Sequence, residues 1–275
     1  MNCNFPEYPV SKREDANSKL AGKLWNLIVE DIKSSILSKK NIVMSIVGQP
    51  GMGKTSILNA VEAELSDSFI IYLDLASGES LAKEAWFTVR NRKILDKIKV
   101  SAFQILNEHK REIGYDFLAK LGKEFTNWLR HLCEKKKWDE KWGYAERLYC
   151  LEYSEDINGF ISFINDLVNL GKVGILIDEL KANDVVLSEL HKLINSVKIP
   201  IVVTLVPEVF NDIKDSALRR RLDEYKKELY LTEDDKKEIL KAYCPDFAEE
   251  LYSQVSKADT VSKLIDIART KLQIA

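Results

Sequence analysis

No run of about 18 apolar residues, the length a membrane-crossing helix needs, occurs in the 275 residues, which argues against a helical membrane span. Met1 to Lys12 has no apolar signal core, so secretion is not expected. Cysteine is scarce. Cys3, Cys133, Cys150 and Cys244 are scattered, with no C-x-x-C pair and no histidine at ligand spacing. That pattern predicts structural or free thiols in a reducing compartment rather than a metal site, and with the missing signal it predicts a cytoplasmic protein. The three histidines, His109, His131 and His191, stand apart from one another and from ligand partners. A formal net charge of −2 gives no whole-chain case for nucleic acid, so any basic footprint must be local. There are no internal repeats, no low-complexity linker, and no N-K-x-D segment of the kind that reads guanine.

What the chain has is a phosphate loop. Gly48-Gln49-Pro50-Gly51-Met52-Gly53-Lys54-Thr55 fits G-x-x-x-x-G-K-[ST] at every fixed position, with Ser56 following. The mostly apolar run Ile42–Val47 precedes it as a buried strand, and Ile57, Leu58, Val61 and Leu65 follow at helical spacing. Glycines let backbone N–H groups curl around phosphate oxygens, and the helix start adds positive potential. Lys54 reaches the outer phosphates, and Thr55 offers a hydroxyl to Mg²⁺.

A second stretch supplies carboxylates. Val173–Ile177 reads as a buried strand that delivers Asp178 and Glu179 at its C-terminal end, where open α/β sheets bind ligands. Asp178 suits the Mg²⁺ shell, and Glu179 suits a general base on the attacking water. Phe69–Asp74 and Ile199–Leu205 read as further strands, with Thr204 a polar residue near the end of the latter. Thr204 is placed either to meet a γ-phosphate or the attacking water, or to satisfy its hydroxyl locally. A short fifth strand is expected at Glu228–Leu231.

Elsewhere the pattern is helical. Ser11 to Glu14 matches a capping box, opening a helix that carries Leu20, Leu24, Leu27, Ile28, Ile32 and Ile36. From Ser80 to about Leu170 helices dominate, with Leu118, Leu121, Phe125, Trp128, Leu129 and Leu132 on one stripe. Basic and aromatic residues interleave at Trp128–His131, Lys135–Trp138 and Lys141–Tyr144. Three readings of them stay open: a nucleic-acid surface, a protein-docking surface, or the core of a helical pair with a solvated rim. Arg219-Arg220-Arg221 sits on a helix, and Thr232-Glu233-Asp234-Asp235 starts another with acidic first-turn residues.

With these residues placed, the chain resembles the AAA+ ATPases. The Pro-Gly pair inside the phosphate loop and the Ile-Leu-Ile-Asp-Glu stretch carry the likeness, together with Thr204 at the first sensor position. Ala217–Leu222 resembles the segment that presents an arginine finger to a neighbouring subunit, with Arg221 as first choice and Arg220 as second. Within the superfamily the chain is most similar to archaeal replication-initiator ATPases of the origin-recognition type and related archaeal ATPases, through Lys12-Arg13-Glu14, Leu-Arg-Arg-Arg-Leu and Tyr230-Leu-Thr-Glu.

The resemblance implies an α/β base with a mostly parallel five-stranded sheet in order 5-1-4-3-2. The base would span 1–231 with a helical insertion at about 78–165, and an α-helical lid would span 232–275. It implies ATP and Mg²⁺ as cofactors, and a homo-oligomer or a related AAA+ subunit as partner. The role it implies is a switch in DNA replication or mobile-element DNA processing. The alternative is a signalling or protein-remodelling NTPase whose insertion binds a protein rather than DNA. Two departures from the family are expected: no winged-helix domain after the lid, and Lys263 where the family carries its second sensor arginine.

Overall fold

The computed structural model describes residues 3–5, 20–76, 78–115 and 124–274. The expected helix start at Ser11–Glu14 lies outside them, as do Leu118 and Leu121 of the apolar stripe. In chain order the first elements are α1 (Lys23–Leu37), β1 (Val43–Val47), α2 (Lys54–Glu64), β2 (Phe69–Asp74), α3 (Leu81–Val89), α4 (Arg92–Glu108), α5 (Phe125–Lys135), α6 (Gly143–Cys150) and α7 (Ile157–Leu167). Then come β3 (Val173–Asp178), α8 (Asp184–Ser196), β4 (Ile201–Leu205), α9 (Pro207–Asp212), α10 (Ser216–Glu224), β5 (Tyr225–Glu228), α11 (Glu233–Tyr243), α12 (Ala248–Val255) and α13 (Val261–Ile274). None of the described helices is long and apolar enough to cross a membrane. Two compact units divide the chain: Met1–Ser77 with Gly174–Asp184 and Lys198–Ala275, and Gly78–Val173 with Val185–Val197.

The first unit is built on one sheet in the order β2-β3-β4-β1-β5, the expected order read from its other edge. β1 pairs in parallel with β4 and β5, and β3 with β4. Strands covered on both faces read as continuous apolar runs, and β1, β3 and β4 are buried at every position. The edge strand β5 differs. Its sequence is Tyr-Lys-Lys-Glu, and it pairs Met44 with Tyr225 through Val47 with Glu228, three residues earlier than the apolar stretch suggests. Charged residues suit an exposed edge. Leu229 instead turns inward beside the phosphate loop, its N–H donating to the Val47 carbonyl at 2.8 Å.

Helix α1 begins only after Gly22, whose φ of 103° is left-handed. Trp25, Ile28, Val29, Ile32 and Ile36 form its buried stripe, and they share a cluster with Ile57, Leu58 and Val61 of α2 and with Leu176 and Val202 of the sheet. Leu27, expected on that stripe, is 55% exposed. Helices α11, α12 and α13 pack around Leu240, Tyr243, Leu251, Val255 and Leu264. α11 starts with a complete capping box, Thr232 Oγ1 accepting from the Asp235 N–H and Asp235 accepting from the Thr232 N–H.

In the second unit, Trp86 of α3 packs against Phe160 and Phe163 of α7 and against Tyr153. A separate cluster joins Leu106, Leu129 and Ala145 with Phe103, Phe125, Trp128 and Leu132. Glu189 of α8 holds the start of α3, accepting from Ser80 Oγ at 3.0 Å and from the Ala82 N–H at 3.2 Å.

The cysteines correct the expectation of free thiols. Cys3 is bonded to Cys244 at the end of α11, and Cys133 of α5 to Cys150 of α6. The first pairing joins residues 241 apart, which no local spacing can show. The native protein is therefore expected to give no thiol signal with a thiol-reactive reagent until it is reduced. Replacing Cys133 and Cys150 together by serine should lower stability by about 3 kcal/mol, the chain-entropy value for a loop of this size, read from the denaturant midpoint.

Candidate functional site

The site lies where β1, β3 and β4 end. Past Val47 the chain turns through Gly48–Gly53 before α2 begins at Lys54. Gly51 and Gly53 both have φ of 80°, a left-handed backbone that a side chain would strain by roughly 1–2 kcal/mol. The turn leaves the N–H groups of Gly51, Gly53, Lys54 and Thr55 without a protein acceptor among the described residues. The carbonyls of the same turn are held. Trp25 Nε1 donates to the Met52 carbonyl at 2.7 Å, and the Ser262 N–H donates to the Gly51 carbonyl at 3.1 Å. With its carbonyls engaged and its amides open, the loop is a concave donor surface for an anion.

Lys54 is buried, and its Nζ donates to the carbonyls of Gly48 at 2.6 Å and Gln49 at 3.1 Å. Burial lowers its pKa, while the charges of Asp178, Glu179 and Glu208 pull the other way. Gln49 and Pro50 are exposed at the loop tip, and Gln49 Nε2 donates to Glu208 at 3.3 Å. Ser56 is buried and lines a small cavity of about 40 Å³ beside Gly51 and Gly53, walled by Trp25, Ile239, Tyr243, Val261 and Ile265.

Asp178, at the end of β3, is 3% exposed, and each of its oxygens accepts two hydrogen bonds. Oδ2 accepts from Thr55 Oγ1 at 2.7 Å and Tyr72 OH at 2.8 Å. Oδ1 accepts from Thr204 Oγ1 and from the Glu179 N–H at 3.1 Å. The donors come from α2, β2, β4 and the turn after β3, so the carboxylate is gripped from four sides. Burial, and then the charge of Asp178, push the Tyr72 phenol well above its ordinary pKa, which keeps it a donor.

Thr204 is fully buried and does two things at once, donating to Asp178 while its oxygen accepts from the Glu179 N–H at 3.0 Å. Its carbonyl also accepts from Leu180 at 2.9 Å. Those bonds hold Glu179 at φ 54°, a left-handed conformation that costs a non-glycine residue about 1 kcal/mol or more. Glu179 itself is exposed, and its carboxylate has no hydrogen-bond or ion-pair partner among the described residues. A strained, free carboxylate thus adjoins a buried, saturated one.

The remaining candidates sit elsewhere. Arg220 and Arg221 are exposed on α10 without an ion pair among the described residues, whereas Arg219 lies over the Phe210 ring at 5.6 Å. Lys263 pairs with Asp259 at 2.8 Å, and its neighbour Ser262 is the residue that meets the loop. In the second unit the interleaved aromatics are largely engaged. Trp128 belongs to the helical cluster, and Trp142 stacks on His109 at 3.7 Å under the Lys141 ammonium. Lys141 Nζ and Trp142 Nε1 both donate to Glu112.

Sequence reasoning missed Tyr72, Trp25, Ser262 and Glu208. The one signal for Tyr72 is a hydroxyl inside an otherwise apolar strand. Because Thr204 serves the buried Asp178 carboxylate as well as the Glu179 N–H, Thr204→Val should destabilise the protein by about 1–3 kcal/mol with little change in volume. Chemical denaturation of the purified variant measures this.

No protein-family profile and no curated protein sequence matches the chain. Solved structures do. The replication initiator DnaA bound to AMPPCP and single-stranded DNA matches at TM-score 0.51 and 14% identity, over 96% of this chain and 65% of its own. AMPPCP-bound DnaA from Aquifex aeolicus matches at TM-score 0.51 and 15% identity, over 97% of this chain and 66% of its own. The Orc1 protein of Aeropyrum pernix in complex with DNA matches at TM-score 0.48 and 14% identity, over 96% of this chain and 64% of its own. The chain spans slightly under two thirds of the length of each of these proteins. At such identities the likeness is one of architecture: the chain shares the α/β fold of the two DnaA structures.

Proposed function

We propose that this chain is an ATP-binding and ATP-hydrolysing switch of the AAA+ kind, acting in DNA replication or mobile-element DNA processing. The observation that carries the reading is Asp178, which joins Thr55 of the loop to Thr204 of β4 beside a buried Lys54 and a free Glu179. The open amides of Gly51, Gly53, Lys54 and Thr55 receive the phosphate oxygens, and Lys54 exchanges its two carbonyl partners for them. Gly48, Gln49, Pro50, Met52 and Ser56 shape the loop. The small apolar cavity beside it suits one edge of a base.

The donor set fits magnesium. A hydroxyl and a carboxylate 2.7 Å apart are hard oxygen ligands, and among the described residues no His, Cys, Asp and Glu group forms a complete cage. Magnesium is held in that way in nucleotide sites, by one or two protein oxygens with phosphates and water completing the shell. Bound there, it would neutralise charge that develops on the phosphate. Thr55 and Asp178 would hold it, Glu179 would take the proton of the attacking water, and Thr204 sets the position of Glu179 through its backbone N–H. Arg221, or Arg220, acts on the site of a neighbouring copy or a related subunit. The base is assigned to 1–231 with the insertion at about 78–165, and the lid to 232–275.

The DNA role leans on a similar fold whose solved form is bound to single-stranded DNA. A protein-directed insertion, as in a signalling or remodelling NTPase, is the second reading, because the rings of Trp128 and Trp142 are engaged inside the second unit and not free to stack on bases.

Glu179→Gln should keep ATP affinity and lose about 10²–10⁴-fold in turnover; unchanged turnover would remove the general base from Glu179. Turnover per chain should rise with protein concentration. Arg221→Ala or Arg220→Ala should abolish that rise, since fingers of this kind contribute roughly 10³–10⁵ in rate. Adding single- and double-stranded DNA to the same assay separates the two roles, stimulation with steep salt dependence supporting the first.

A further inference from the structure

We propose that Tyr72 is a positioning residue of the cation site, its hydroxyl fixing the Asp178 carboxylate so that Asp178 and Thr55 are presented together to a cation. The inference rests on reading Thr55 and Asp178 as the cation-binding pair.

A carboxylate offers about four lone-pair directions, two on each oxygen. Thr204 and the Glu179 N–H occupy those of Oδ1, and Thr55 and Tyr72 those of Oδ2. Three of these donors belong to segments with other work: the loop helix, the strand that supports Glu179, and Glu179 itself. Tyr72 is the fourth, and it reaches Asp178 from β2, the edge neighbour of β3. Its ring packs against the cluster under the sheet, which phenylalanine would reproduce, so packing alone does not call for the hydroxyl.

Without that hydroxyl, Oδ2 keeps Thr55 as its one donor, and the carboxylate loses the bond from β2 that fixes its orientation beside the loop. Magnesium demands near-ideal octahedral geometry, so a carboxylate whose orientation is loose serves its shell less well. Groups that orient a metal ligand typically carry 10–100-fold in metal affinity.

The test is ATP affinity of the full chain, measured by titration calorimetry once with excess Mg²⁺ and once with a chelator. For the wild type, Mg²⁺ should strengthen binding. In Tyr72→Phe that strengthening should shrink by roughly 10-fold, with metal-free affinity near wild type. An unchanged Mg²⁺ effect overturns the proposal. So does an equal loss with and without metal, which marks damage to packing. If the wild type binds ATP but Mg²⁺ has no effect, the cation pair and Tyr72's role fall together. If it binds no ATP in either condition, the nucleotide reading itself has failed.

Discussion

A buried carboxylate has to be surrounded by donors, and the interior of this protein meets that demand at Asp178. Leaving one such acceptor unpaired costs about 1–3 kcal/mol, more when the group is charged. The four donors come from segments far apart in sequence: Thr55, Tyr72, Thr204 and the backbone of Glu179. Only a sheet that places β3 between β2 and β4, with α2 entering from β1, brings them together. The strand order and the saturation of Asp178 are thus two aspects of one constraint.

The phosphate loop shows the complementary arrangement. Its carbonyls are bonded by Trp25 of α1, Ser262 of α13 and the Lys54 ammonium, while several of its amides stay open. A Cβ on Gly53 would lie a tight 3.1 Å from Trp25 Nε1, and one on Gly51 would lie 2.8 Å from Ser262 Oγ, in both cases on top of the left-handed strain. The glycines therefore serve the approach of α1 and α13 as well as the turn. Lys54 is similarly poised, since its present acceptors are the loop's own carbonyls and burial already weakens its hold on the proton.

Much of this was legible in the sequence. Four core strands and the loop stood out because buried parallel strands are continuous apolar runs and because glycine spacing is local. β5 was displaced, since an edge strand rich in Lys and Glu carries no hydrophobic signal and Leu229, which does, lies just beyond it. In α1, Leu27 fits the stripe by spacing but is exposed, and among the described residues the helix starts only after Gly22, past Leu20. The disulfides were illegible for a different reason. Cys3 and Cys244 meet only because residues 3–5 lie along the end of α11, with the Asn4 N–H bonded to the Tyr243 carbonyl.

The sequence by itself determined the residue chemistry of the phosphate loop, the Asp178-Glu179 pair at a strand end and the helical character of residues between β2 and β3. Those signals rest on neighbours a few positions apart, which is the range over which hydrophobic period and glycine spacing act. Only the tertiary structure decided that Thr204 supports Glu179 rather than standing free, that Tyr72 completes Asp178, that Lys263 pairs with Asp259 while Ser262 meets the loop, and that the aromatic rings between 125 and 144 largely pack on one another. Each of these depends on which acceptor or ring lies nearest in space. Sheet order and helix packing set that distance, and residue spacing does not.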